Sequence, residues 1–201
     1  MFKMCNNQAL GGNRMNDNKK ELTIQEVNEL TKRAIYVFNE ILSYEGFKLD
    51  IKQNGIMGTQ YIFKNTSILT GITEIHVTPV ADVTPDKVQV NGLKIDHIAT
   101  SVTGMGVGAK LIAILAKTCN IFDLDLCLWS KDNKRLKRWY RKLGFKENHT
   151  NSIGETLFIL KEYNYKNVME MLGKDKIIGC SNIATTIEIT EQILNKIFEE
   201  E

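Results

Sequence analysis

The hydrophobic periodicity of the chain changes character once, at Gly104-Met105-Gly106-Val107-Gly108, and that change limits the folds open to it. Before it come runs rich in β-branched and aromatic residues: Phe47 to Ile51, Gln60 to Lys64, Ile68 to Val77 and Val88 to Ala99. Turn residues punctuate them at Asn54-Gly55, Asn65, Pro79, Pro85-Asp86 and Asn91-Gly92, which predicts an antiparallel meander. After it the order is different. Lys110 to Ala116 reads as a mostly buried helix, and Phe122 to Trp129 alternates apolar and acidic residues as a strand with one buried face. Asn133 to Leu143 reads as a basic amphipathic helix stopped by Gly144, followed by strands at Phe145 to Glu147 and Thr156 to Lys161. A strand–turn–helix–strand order places one parallel connection in an otherwise antiparallel sheet, so the expected class is α+β.

The glycine turn itself has the chemistry of an anion cradle. Glycine reaches backbone angles closed to other residues, so successive N–H groups can point into one concavity. The first turn of the next helix adds donors without intrahelical partners and a partial positive charge. Two rival phosphate motifs fail on spacing: no Gly-Lys-Ser/Thr follows, and a dinucleotide turn wants its third glycine one residue later. A packing-driven turn without a ligand is the plain alternative.

Upstream, Thr23 and Glu26 have capping-box spacing, and Val27, Leu30, Ala34, Val37, Phe38, Ile41 and Leu42 form one apolar helical face running to about Tyr44, with Gly46 as the stop. Residues 1 to 21 read as a loosely attached tail, and residues from about 164 as a C-terminal appendage. Its helix candidates are Val168 to Leu172 and Glu188 to Glu200, the latter with an apolar stripe that can dock on the domain or on a second copy. The central domain is thus expected over 22–163. A net charge of +2 is too mild to argue by itself for a nucleic-acid or anionic-membrane partner. No apolar run is long enough to span a bilayer and residues 1 to 21 lack a secretory core, so a cytoplasmic protein is expected. Cys5, Cys119, Cys127 and Cys180 are scattered without a CxxC pair, which predicts free thiols and no metal site.

The segment Asn133-Lys134-Arg135-Leu136-Lys137-Arg138-Trp139-Tyr140-Arg141-Lys142-Leu143-Gly144-Phe145 carries the second motif. Together with the glycine turn about thirty residues earlier, it resembles the GNAT family of N-acetyltransferases. In that family Arg/Gln-x-x-Gly-x-Gly/Ala follows the fourth strand, and Asn…Tyr-x-x-x-Gly-Phe follows the fifth. The likeness covers roughly Glu21 to Tyr163, and its specific part is Asp96 to Phe145. It implies a mixed, mainly antiparallel central sheet with flanking helices and a V-shaped splay between the fourth and fifth strands. It also implies an enzyme that passes an acetyl group from acetyl-CoA, as co-substrate, to a primary amine by direct attack.

Carried over residue by residue, the resemblance assigns roles. Gly104, Gly106 and Gly108, with Met105, Val107 and Ala109, offer backbone N–H groups to the pyrophosphate. Ile98 and Thr100 hydrogen-bond the pantetheine and acetyl carbonyl through their main chain, and an N–H near Ile98 or Ala99 stabilises the oxyanion. Asn133 reaches the pantetheine amide, and Tyr140 protonates the leaving thiolate. One position departs from the pattern: Thr103 stands where the family has Arg or Gln. It keeps a hydroxyl and an N–H for phosphate but lacks the charge, for which Lys110 is a candidate substitute.

Amine attack needs a base, and the candidates are Glu74 and His76 on the third main strand and Asp96 and His97 on the fourth. Strand neighbours point to opposite faces, so one of Asp96 and His97, and likewise one of Glu74 and His76, is expected on the acceptor side. His149 is placed in a polar turn, and Trp129 and Trp139 in the core or a pocket wall. The basic run Lys131, Lys134, Arg135, Lys137, Arg138, Arg141 and Lys142 reads as a solvated face, or else as a contact for the CoA 3′-phosphate or an anionic acceptor. The competing function is a catalytically inactive binding or structural module of the same fold, possible also as a nucleic-acid-associated protein.

Overall fold

The computed structural model describes residues 22–54, 58–67, 71–83, 89–101 and 106–161. Among these described residues, three helices and seven strands follow one another as α1 (Ile24–Tyr44), β1 (Lys48–Gln53), β2 (Thr59–Ser67), β3 (Gly71–Val83), β4 (Gln89–Thr100), α2 (Val107–Ile121), β5 (Asp125–Ser130), α3 (Lys134–Lys142), β6 (Lys146–Thr150) and β7 (Thr156–Leu160). The strands form one sheet in the order β1-β2-β3-β4-β5-β7-β6. Every pairing is antiparallel except β4 with β5, the parallel step that the glycine turn and α2 make possible. This is the α+β class, a mainly antiparallel sheet with one parallel step, expected from the sequence. The expected tail and appendage lie outside the described residues.

Helix α1 begins where its capping box predicts. The Glu26 N–H donates to Thr23 Oγ1 at 3.2 Å, and the Thr23 N–H donates back to the Glu26 carboxylate at 2.8 Å. Its buried stripe, Val27, Ala34, Val37, Phe38, Ile41 and Leu42, packs with α2 on one face of the sheet, with the Phe38 and Phe63 rings edge to face at 4.8 Å. Helix α2 is buried on nearly all sides, which explains why its sequence shows hydrophobicity rather than a clean stripe. It is also longer than its apolar run, Lys110 to Ala116, suggested. Cys119 and Cys127 are free and buried; burial pushes the Cys127 thiol up to about 12, so neither is a reactive thiolate.

Three expected turns are strand. Asn65 lies within β2, opposite Thr73. Pro79 lies within β3, opposite Leu93, where the recorded β2 pairing has already ended at Val77, so its missing N–H can face an edge without a ladder. Asn91-Gly92 lies within β4, for a reason given below. His149 sits in β6 rather than in a polar turn, and the Trp129 and His149 rings meet edge to face at 6.4 Å.

Candidate active site

The site is made by a strand leaving its neighbour. β4 and β5 pair only from Gly92↔Asp125 to Ile95↔Leu128. Beyond Ile95, β4 runs on to Thr100 beside β3 alone, while β5 runs on beside β7. Two backbone features produce this. At Gly92 the strands touch: an added Cβ would lie 1.9 Å from the Asp125 carbonyl oxygen, so only glycine fits. At Asp96 the β3–β4 register slips by one residue, Val77 facing Ile95 and His76 facing His97, which is a β-bulge. A bulge bends its strand and increases local twist, and here the bend coincides with the end of the β4–β5 ladder. The result is the expected splay. Main-chain groups of β4 that would have bonded β5 are left facing the gap.

Helix α2 starts at that gap. Gly106 is its N-cap, in the left-handed region at φ +77°. Among the described residues no side chain caps the helix and its first turn holds no acidic residue, so none of them gives the N–H groups of Val107, Gly108 and Ala109 a side-chain acceptor. Gly108 lies between the end of β4 and α3: a Cβ there would sit 3.7 Å from Ile98 and 3.8 Å from Trp139. Thr103, Gly104 and Met105 lie outside the described residues. Lys110 does not offer its charge at this site. Its ammonium is buried and bonds Glu45 at the C-cap of α1, at 3.0 Å, so it joins two helices instead of compensating for Thr103.

Helix α3 brings the third side. Asn133 Oδ1 caps it, accepting from the Arg135 and Leu136 N–H groups at 3.0 and 3.2 Å, which leaves its amide NH2 to donate elsewhere. Tyr140 is the helix's buried residue, packed against Trp139, Phe145 and Phe158. Phe158 is the register partner of Leu128, the last β5 residue to pair with β4, so the phenol stands at the level where the strands part. Burial pushes its pKa above the ordinary phenol range, and among the described residues its hydroxyl has no hydrogen-bond partner.

The base candidates separate clearly. Asp96 accepts from Gln60 at 3.0 Å and from Thr78, and pairs with Lys94 at 3.0 Å. Its carboxylate is engaged on both oxygens and holds the bulge. Glu74 and His76 share one face, contrary to the expectation that only one of them can: residues two apart on a strand point the same way. His97 lies on that face too, so Glu74 contacts both imidazoles. Counting strand parity, with the bulge unknown, could have joined Glu74 to His76 but not to His97. On the basic helix, Lys137 pairs with Asp132 and Arg141 with Glu147, and Lys131, Lys134, Arg135, Arg138 and Lys142 are exposed.

No protein-family model and no curated protein sequence matches the chain. Among solved structures it is similar to PH1933 from Pyrococcus horikoshii OT3, at 16% identity and a TM-score of 0.41, over 72% of this chain and 96% of that one. It is similar also to a tyrosine-to-phenylalanine mutant of the AtaT toxin bound to the C-terminus of the antitoxin AtaR, at 16% identity and a TM-score of 0.36, over 57% and 70% of the two chains. A third likeness is to a Bacillus subtilis acetyltransferase in complex with CoA, at 15% identity and a TM-score of 0.35, over 71% and 95%. The activities those names carry belong to those proteins. Among the described residues, no helix is long and apolar enough to cross a membrane and no cluster of His, Cys, Asp or Glu could hold a metal ion.

Proposed function

We propose that the chain transfers an acetyl group from acetyl-CoA to a primary amine. The observation that carries this reading is the gap itself, bordered by a helix N-terminus without a side-chain cap among the described residues, by the length of β4 past its β5 ladder, and by the buried Tyr140 ring at the level where the strands part. The N–H groups of residues 106–109 suit a diphosphate, which is doubly acceptor-rich and anionic. The length of β4 past the end of its ladder with β5, at Ile98, Ala99 and Thr100, suits an extended amide-bearing arm whose thioester carbonyl would meet main-chain donors. Asn133 has an amide NH2 left for the same arm.

The chemistry then balances. The amine nitrogen attacks the carbonyl carbon, the C–N bond forms and the C–S bond breaks. The thiolate takes the phenolic proton of Tyr140, whose raised pKa keeps that proton in place at neutral pH until a strong base appears beside it. The nitrogen's second proton replaces the one Tyr140 gave. One further proton, from the starting ammonium, leaves on the acceptor side. Amide and free thiol are the products.

Calorimetric titration with acetyl-CoA, together with thiol release over a panel of primary amines, tests this. Tyr140→Phe should bind acetyl-CoA within about two-fold of wild type and release thiol on the order of 10²-fold more slowly. Gly106→Trp should abolish binding, because the added side chain is strained at φ +77° and fills the cradle. Unchanged affinity in Gly106→Trp, or an undiminished rate in Tyr140→Phe, sinks the reading.

A further inference from the structure

Glu74, His76 and His97 form a titratable cluster on the sheet face turned away from α2. One carboxylate oxygen, Glu74 Oε1, lies 3.3 Å from His97 Nε2 and 3.7 Å from His76 Nε2, and the two rings are 5.0 Å apart. The three members differ in access. The His97 side chain is 49% exposed, against 26% for Glu74 and 21% for His76. His76 Nε2 is buried without a hydrogen-bond partner among the described residues. Burial, set against the nearby Glu74 carboxylate, holds the His76 pKa below its ordinary value, so it stays neutral and leaves the carboxylate's charge to His97. The register also puts Lys48, Asp50 and Lys52 of β1 and Lys64 of β2 on this face, together with Lys94 and Asp96 of β4, which are bonded to each other.

The cluster's place in the fold connects it to the gap. His97 directly follows the bulge at Asp96, on the length of β4 that has left β5. Its neighbour Ile98 points the other way, toward Gly108 at the start of α2. The β4 main chain therefore stands between the His97 imidazole and the helix N-terminus. A group arriving over the His97 face would reach a carbonyl lying along β4 from the side opposite the departing sulfur.

We infer that His97 takes the proton from the acceptor's ammonium and that Glu74 is its positioning residue; this rests on the transfer reading above. Neither ring nitrogen makes a hydrogen bond among the described residues, and Nε2 lies in ion-pair contact with the Glu74 carboxylate, which favours the proton on Nε2 and the lone pair on Nδ1. The ammonium gives one proton to Nδ1, the free amine attacks, and the imidazolium, stabilised by the Glu74 carboxylate, passes its proton to solvent. Asp96, already bonded to Gln60, Thr78 and Lys94, takes no part in the transfer.

Three measurements on the full chain test this. Imidazole ¹⁵N shifts should report the Nε2–H tautomer for His97 in wild type and a weakened preference in Glu74→Gln. Thiol release with 1,4-diaminobutane as probe should fall on the order of 10²-fold in His97→Ala and be partly restored by added imidazole. Acetyl-CoA affinity should stay within about two-fold in both variants, since the cluster lies across β4 from the cradle. A His97 found as the Nδ1–H tautomer, or a His97→Ala variant with the wild-type rate, overturns the inference. Loss of acetyl-CoA binding by the wild-type chain would instead remove the transfer reading on which it stands.

Discussion

Gly92→Ala reverses the sign usually expected of such a change. In a strand interior, Gly→Ala normally stabilises by about 0.5–1 kcal/mol, because alanine loses less backbone entropy on folding. At Gly92 the new Cβ would sit 1.9 Å from the Asp125 carbonyl oxygen and within 2.8 Å of two further backbone atoms of the same residue. None of these atoms belongs to a flexible side chain that could swing aside. Ordinary contact begins at 3.4 Å, so the strands must part by about 1.5 Å, more than a ladder hydrogen bond tolerates. The β4–β5 pairing extends only from Gly92 to Ile95, so a break at its first residue weakens a large share of it. Adding an overpacking cost of about 1–3 kcal/mol to one or two lost hydrogen bonds at about 1 kcal/mol each, and subtracting the entropic gain, leaves roughly 2–4 kcal/mol of destabilisation. For a domain of this size the melting temperature should drop by roughly 5–15 °C. Gly108→Ala is the control. Its Cβ meets Ile98 and Trp139 only at 3.7 and 3.8 Å, within the helix α2, so it should stabilise by about 0.5–1 kcal/mol. Urea melts of the three proteins by circular dichroism decide the matter. A Gly92→Ala protein as stable as wild type would refute the argument from close approach.

Two further outcomes follow from charged groups in or near the core. Lys110→Met breaks the buried pair with Glu45, whose side chain is only 11% exposed, and should cost about 1.5–3 kcal/mol in chemical denaturation; the Lys110→Met/Glu45→Gln double variant should recover part of that, by a double-mutant cycle. His76 has a lowered pKa in the folded chain, so below its ordinary value of 6.5 the unfolded chain binds a proton that the folded one resists. Stability should therefore fall as pH drops below 6.5, and His76→Asn should flatten that slope in urea melts recorded at successive pH values.

Much of this architecture can be read from residue order alone, for identifiable reasons. The capping box at Thr23 and Glu26, the stripe of α1 and the N-cap at Asn133 are local: each depends on residues within a turn or two. The change of periodicity at the glycine turn locates the one parallel connection, because chain direction forces a crossover there. What fails is non-local. Asn91-Gly92 has the composition of a hairpin turn, and only the approach of Asp125, 33 residues later, makes it strand interior. Pro79 looks like a stop, and only the early end of the β2–β3 pairing lets it remain in β3. Lys110 resembles a phosphate ligand by its distance from the turn, yet its partner is Glu45 at the end of a different helix. The Glu74–His97 contact depends on a bulge that no local composition announces.

The two irregularities of β4 act together. Gly92 without the bulge would allow β4 to follow β5 along its whole length and close the gap. The bulge without Gly92 would bend a strand that was never held close to β5, and the splay would lack a fixed apex. With both, β4 is held against β5 at one end and, over Asp96 to Thr100, runs on beside β3 alone. Residues on that length then alternate between two compartments, Ile98 toward the α2 N-terminus and His97 toward Glu74. A strand with no ladder on one edge can lend its main chain to a reacting carbonyl while its side chains separate an anion site from a proton acceptor. On the transfer reading proposed above, that division would keep a phosphate-bearing donor and an amine on opposite sides of one strand, and it arises from a single glycine and a single extra residue.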